Sequence, residues 1–326
     1  MVGCRSRIVS SRSNTTSFVN SVQAIQGARP LDSFAMTSLR TALQQADAGR
    51  TAIGHFNVSD LVTLYGIVGA ARQEGVPVVV GASEAERRFI GVPQLVAIVR
   101  SLRETEGPPI FLNADHTHSL SGAVEAAKAG FDWVVCDFSS LAFEENVRRT
   151  KEAVLALKGL RDDILVEGEI GDIGSGSQIH ESAPGRRTLT TPDEARQFVE
   201  ETGIDTLAPA VGNMHGVLRS MLKTDAKKRL DVPRIRAIKQ RTAMFMTLHG
   251  ASDTDDGDLR QAIAAGITVV HINTEVRLTW RRGIESSLTT QADEIAPYTL
   301  LAPVIEAVKR TVAARLALFN GREPQE

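Results

Sequence analysis

Apolar residues along this chain follow two alternating rhythms. Short β-rich runs stand at 51–57, 77–81, 110–114, 133–137, 164–169, 206–211, 243–248 and 268–273. Between them, apolar positions recur at helical spacing over 61–73, 93–105, 120–129, 144–158, 192–202 and 259–265, and a last such stretch covers 308–319. Strand-then-helix alternation marks parallel βα units. Gly75, Gly130, Gly203 and Gly266 follow four of the helical stretches, where a left-handed terminal residue is expected. Pro192, after Thr190 and Thr191, marks a capped helix start. Eight strand-helix pairs predict an α/β chain folded as a (β/α)8 TIM barrel, in preference to a doubly wound sheet. Neither a Gly-x-Gly-x-x-Gly after the first strand nor a phosphate-loop lysine motif occurs.

A barrel carries its chemistry at the C-terminal ends of its strands. The polar residues ending these strands are Asn57, Ser83 (just past the second), Asp115 with His116, Asp137, Glu169, His215, His249 and Asn273. His116, His215 and His249 end predicted strands three, six and seven, and imidazole nitrogen is a good zinc ligand. They read as a catalytic metal site, with Asp115 as an acid or base at its edge. Glu167 and Glu169 flank Gly168, so strand alternation puts both on one face. Glu169, nearer the mouth, is a candidate fourth or intermittent ligand, and an ion pair inside the barrel is the plain reading for one of the two. Asp137 is expected to bond backbone amides at its strand end, while His55 and His180 read as structural or exposed. His118 invites a His-x-His metal reading, as in metal-dependent hydrolases. Gly216, Gly250, Ser252 and Thr274 lie where late barrel loops hold phosphate, and Arg219 would add positive charge. The glycine- and serine-containing stretch 171–185 is the candidate lid.

Composition narrows the class. The 326 residues are 42% hydrophobic, enough for one large barrel core. A formal net charge of −2 without a basic stripe points away from nucleic acid. No apolar run approaches the roughly 20 residues of a membrane-spanning helix. Only Cys4 and Cys136 occur, which excludes a disulfide framework and suits a reduced, cytoplasmic setting. Residues 1–35 stand apart: serine-rich, with Arg5, Arg7, Arg12 and Arg29 and no acid before Asp32. They fit an organellar targeting segment, a disordered tail, or a chain whose natural start is Met36. The barrel is therefore expected over 36–326.

Taken in order, Gly54-His55-Phe56-Asn57, Asn113-Ala114-Asp115-His116, Val166-Glu167-Gly168-Glu169-Ile170-Gly171, Val211-Gly212-Asn213-Met214-His215-Gly216, Leu248-His249-Gly250-Ala251-Ser252 and Asn273-Thr274-Glu275 resemble the class II, zinc-dependent ketose-bisphosphate aldolases. The resemblance implies reversible aldol cleavage of a ketose bisphosphate, such as fructose 1,6-bisphosphate, to dihydroxyacetone phosphate and an aldehyde. It implies Zn²⁺ on His116, His215 and His249, with Glu169 as an alternative ligand, and admits a monovalent cation beside it. By the same likeness Asp115 exchanges the C4 hydroxyl proton, and Asn57 and Ser83 line the substrate. Gly216, Gly250, Ser252, Asn273 and Thr274 form the phosphate cradle, with Arg219 in the place of a lysine that helps there. Relatives of this kind are homodimers or homotetramers acting on small phosphorylated sugars.

The chain also departs from the family. Val269-Val270-His271 replaces the usual Lys-Ile-Asn, Asn273 stands for a common aspartate, and Asp253 stands for a glycine. The lid has Ser175-Gly176-Ser177-Gln178 in place of Gly-Gly-Glu-Glu, leaving Glu181 or His180 as substitutes for the missing glutamate. These changes keep tagatose 1,6-bisphosphate or another ketose phosphate open. A metal-dependent hydrolase and a non-catalytic binding protein on the same barrel stand as the alternatives.

Overall fold

The computed structural model describes residues 37–105, 107–174, 176, 178–181 and 188–323. The extension at 1–35 lies outside the described residues, as does much of the expected lid. The strands are β1 (Ile53–Asn57), β2 (Val78–Ala82), β3 (Ile110–Thr117), β4 (Trp133–Cys136), β5 (Leu165–Ile170), β6 (Ile179–His180), β7 (Thr206–Pro209), β8 (Val217–Leu218), β9 (Phe245–Leu248) and β10 (Ile267–Ile272). Eight of them close a parallel barrel in the order β1-β10-β9-β7-β5-β4-β3-β2, while β6 and β8 pair separately over the mouth-side loops. Each expected strand is present, with its ends moved by a few residues.

The helices are α1 (Leu39–Gly49), α2 (Leu61–Glu74), α3 (Glu84–Ile90), α4 (Val92–Arg103), α5 (Leu120–Ala129), α6 (Phe143–Leu160), α7 (Pro192–Thr202), α8 (Val232–Thr242), α9 (Asp256–Ala265), α10 (Thr274–Thr290) and α11 (Pro297–Phe319). α7 shows why the local sequence folds as it does. Thr191 accepts from the Glu194 amide, Glu194 answers to the Thr191 amide, Pro192 needs no partner at the first turn, and Gly203 ends the helix at φ 71°. α1, α3, α8 and α10 were not apparent from the periodicity, and α11 begins eleven residues before the expected 308 (308 − 297).

Two buried clusters divide the work. The larger fills the space between strands and outer helices, as the doubly covered strands of a parallel barrel require. The smaller joins Ile53, Val79, Phe111, Trp133, Leu165 and Val269 to Leu39, Ala42, Leu43 and Ala46 of α1. α1 thus plugs the barrel's N-terminal end with apolar side chains. Above this plug the interior turns polar: His55, Asn113, Glu167, Thr206, Thr247, His249 and His271 are all buried. The polar layer opens at the strands' C-terminal ends.

Candidate metal centre and anion pocket

A regular strand would send Asp115 and His116 to opposite faces. Instead the β3–β4 register shifts between Ala114 and Thr117, and His116 adopts a φ of 40°. This bulge lets both side chains line one pocket at the barrel mouth. A left-handed non-glycine residue costs about 1–3 kcal/mol, so the surroundings must hold it. Buried Arg87 does so, donating to the carbonyls of Ala82 at 2.5 Å and Asp115 at 3.1 Å and to the Thr117 hydroxyl at 3.0 Å.

The three histidines meet there. His116 Nε2 lies 3.1 Å from His215 Nε2 and 3.1 Å from His249 Nδ1. Each ring's other nitrogen faces an acceptor. His116 Nδ1 donates to Asp137 at 2.8 Å, His215 Nδ1 to the Gly174 carbonyl at 2.8 Å, and His249 Nε2 to Glu167 at 2.6 Å. Those acceptors place the ring protons at the back, so three lone pairs converge at the front. Such an arrangement suits a cation at its centre. Tetrahedral zinc at about 2.0–2.1 Å from nitrogen asks for nitrogens a little over 3 Å apart; the two spacings to His116 Nε2 meet this, and all three nitrogens lie within 4.8 Å of one another. The residues therefore fit a metal ion, and acceptors behind ligating histidines are the usual way to orient them.

Carboxylates surround the triad. Glu169 Oε2 stands 3.9 Å from His116 Nδ1 and 3.8 Å from His249 Nδ1, and is buried without a hydrogen-bond partner. Burial, then the neighbouring Asp137 carboxylate, push its carboxyl up to about 8. Burial would lower His116, but Asp115, Asp137 and Glu169 outweigh it and raise the ring well above its ordinary value. A metal ion competes with that proton for the same lone pair. Burial, with the fields of His116 and His249, lowers His215 to about 3. Burial would raise Asp115, yet His116, His55, His249 and the Asn57 hydrogen bond hold it well below the usual carboxylate range. Asp115 is thus ionised. Its Oδ2 accepts from Asn57 at 2.9 Å, while its buried Oδ1 has no hydrogen-bond partner.

Next to the candidate metal centre the pocket is lined by Asn57, Gly216, Gly250, Ser252, His271, Asn273 and Thr274. Ser252 Oγ accepts from the amides of Asn273 and Glu275 at 3.3 Å, tying this loop to the start of α10. A helix N-terminus of this kind favours an anion. Gly250 sits at φ 61°, and a Cβ there would come within 2.4 Å of the Met214 backbone. Only glycine permits that approach.

Not every expected residue reaches the pocket. Ser83 caps α3, its hydroxyl accepting from the Glu86 amide. Arg219 is about half exposed and pairs with Glu181 at 2.7 Å, which also occupies that candidate lid acid. Asp253, at φ 62°, faces Lys227. His118 is largely exposed, bonds the Asp137 carbonyl, and joins none of the candidate metal groups found among the described residues. His55, expected to be structural or exposed, is fully buried and stacks on His271 with ring centres 3.4 Å apart.

Residues 37–323 match the family described as "Fructose-bisphosphate aldolase class-II". The chain belongs to this family. This class II aldolase is 31% identical over 288 residues to a "Probable fructose-bisphosphate aldolase" of Bacillus subtilis, covering 87% of this chain and 98% of that one. It is also 31% identical over 289 residues to a "6-phospho-5-dehydro-2-deoxy-D-gluconate aldolase" of Halalkalibacterium halodurans, covering 88% and 96%. Among solved structures, the YdjI aldolase of Escherichia coli K12 superposes with a TM-score of 0.73 at 28% identity, covering 87% of this chain and 97% of that one. The chain is accordingly a carbon–carbon lyase. A hydrolase or a purely binding barrel is not what these relatives describe.

Several residues of the aldolase's site, or the contacts they make, were not apparent from its sequence. Glu86 accepts from Asn57 at 2.8 Å and from Arg277 at 2.6 Å, so an Arg277–Glu86–Asn57 relay ends on Asp115. Asp137 does accept the Ser139 amide, as expected, but also backs His116. Glu167 backs His249, and buried Lys228 bonds the loop carbonyls around the pocket. Of Glu86, Arg277 and Lys228, which the sequence did not single out, Glu86 alone carried a signal: Ser83 three residues before it spells a capping box.

Proposed function

We propose that this aldolase catalyses the reversible, zinc-dependent aldol cleavage of a ketose bisphosphate of the fructose 1,6-bisphosphate type, giving dihydroxyacetone phosphate and an aldehyde. The observation that carries this reading is the convergence of three imidazole lone pairs beside an ionised Asp115 whose Oδ1 has no hydrogen-bond partner. His116, His215 and His249 would hold Zn²⁺, with Glu169 close enough to serve as an intermittent ligand. Bound there, the ion supplies Lewis-acid polarisation of the substrate's ketone.

The remaining chemistry belongs to the chain. Asp115 Oδ1 accepts the C4 hydroxyl proton as the C3–C4 bond breaks and returns it in condensation. Asn57, held by Glu86, keeps Oδ2 engaged so that Oδ1 faces the substrate. Gly216, Gly250, Ser252, Asn273 and Thr274 take the phosphate next to the ketone, which fixes the reacting carbons in register. Ser83 and Arg219, engaged elsewhere, would act from outside the pocket.

The division into a 1–35 extension and a 36–326 catalytic barrel is supported by the family match beginning at residue 37. Sparse cysteine supports a cytoplasmic setting, and exposed Ile295 and Tyr298 support a homodimer or homotetramer. Among the described residues no helix is long and apolar enough to cross a membrane.

The test is a panel of fructose and tagatose 1,6-bisphosphates and 6-phospho-5-dehydro-2-deoxygluconate, with and without chelator. Chelator-sensitive release of a triose phosphate from a ketose bisphosphate is expected. Turnover that survives full metal removal, or none with any ketose bisphosphate, would overturn the proposal.

A further inference from the structure

Lys228 sits in the segment between β8 and α8 and is only 5% exposed. Its Nζ donates to four backbone carbonyls: Met214 at 2.8 Å, Gly216 at 2.5 Å, Gly250 at 3.0 Å and Ser252 at 2.5 Å. Carbonyl oxygens have no proton to offer, so the nitrogen is the donor in each contact. An ammonium has three protons, so four acceptors must share them. The acceptors come from two different loops, one after β7 and one after β9. Three of the four residues also line the anion pocket.

The lysine's own backbone is anchored as well. Its amide donates to the Asp253 carbonyl at 3.1 Å, and its carbonyl accepts from the Asp255 amide at 3.1 Å. The ammonium is therefore delivered to one point between the loops. A ring of carbonyl oxygens at such distances is the coordination that strips water from a monovalent cation. Ammonium and potassium ions are close in size and carry the same charge.

We infer that Lys228 is a built-in counter-cation: its ammonium fills the carbonyl cage beneath the phosphate pocket, positions the two loops, and frees the enzyme from any need for a diffusible monovalent cation. The inference rests on the phosphate pocket proposed above. It also changes the expectation for a second ion, because the cage that would take one is occupied by a side chain.

Calorimetric titration of inorganic phosphate into the full-length protein, in tetramethylammonium or potassium chloride of equal ionic strength, tests it. The unaltered protein is expected to bind phosphate equally in both salts. Lys228→Ala should bind about tenfold more weakly in tetramethylammonium, the scale of one charge interaction in a partly solvated interior. Potassium or ammonium ions should restore most of the loss by entering the emptied cage. Unaltered protein that needs potassium, folded Lys228→Ala that binds normally without it, or a loss that neither ion rescues would each overturn the inference. If the alanine variant does not fold, Lys228→Gln keeps N–H donors without the charge and must show the same weakening. Ser252→Asp separates the two readings by placing a carboxylate in the pocket. If it binds phosphate normally, the pocket reading falls and the inference with it. If it loses binding while Lys228→Ala does not, only the inference falls.

Discussion

Glu167→Gln removes one charge and one acceptor from a buried network while keeping its volume. Glu167 is fully buried. Its Oε1 accepts from His249 Nε2 at 2.6 Å, and its Oε2 from Thr206 at 2.9 Å and Thr247 at 2.5 Å. A carboxamide has only one oxygen to offer. If that oxygen stays with the threonines, the amide nitrogen faces His249 and forces the ring proton onto Nδ1. That is the nitrogen aimed at the proposed metal site, 3.1 Å from His116 Nε2. If the oxygen stays with His249, two buried hydroxyls lose their acceptor. Either way, losing a partner behind a metal-binding histidine weakens the metal by about 10–100-fold. In free energy this is about 1.4–2.7 kcal/mol. Competition with a chromophoric zinc chelator measures it, and urea unfolding of the zinc-free forms shows how much is general destabilisation. A glutamine variant that holds zinc within about threefold of the unaltered protein would refute the reasoning.

Three further outcomes follow from the geometry. Asp115→Asn is expected to lower kcat by about 10²–10⁴-fold with zinc content unchanged, read by triose phosphate release and metal analysis. His215 protonates at about 3 when folded, against an ordinary 6.5. An unfolded chain thus binds this proton first, so the ring's stabilising contribution is complete above 6.5 and declines as pH falls toward 3, by at most about 1.4 kcal/mol per unit. In the zinc-free protein, His215→Asn should flatten the acid-side fall in urea stability, and an unchanged slope would count against the assignment. Arg219→Ala is expected to change KM by less than about threefold, because an exposed pair such as Arg219–Glu181 contributes little. A large rise in KM would bring Arg219 back into the phosphate site.

Much of the fold was legible because burial on both faces forces apolar strands, and caps mark the helices between them. The Thr191–Pro192–Glu194 start of α7 was readable for that reason. α8 was not: of its eleven residues only Ile235 and Ile238 are buried, so its apolar stripe is too thin to show. α10 mixes threonines, serines and Gly283 with arginines, and it is helical because it packs on α11, where Gly283 lies against Val304.

The sequence by itself determined the strand count, the end of the barrel that carries chemistry, and the residue types gathered there. Those follow from periodicity and from which side chains bind metals. Tertiary structure alone decided which atoms face each other. His116 meets His215 and His249 across 99 and 133 residues of chain, and the nitrogen each presents depends on the acceptor behind it. The bulge that turns Asp115 and His116 together, the β1–β10 register that pairs His55 with His271, and the closure of four carbonyls on Lys228 are likewise relations through space. Local propensity carries no record of them, because each arises only when the closed barrel brings distant strand ends and loops to a common mouth.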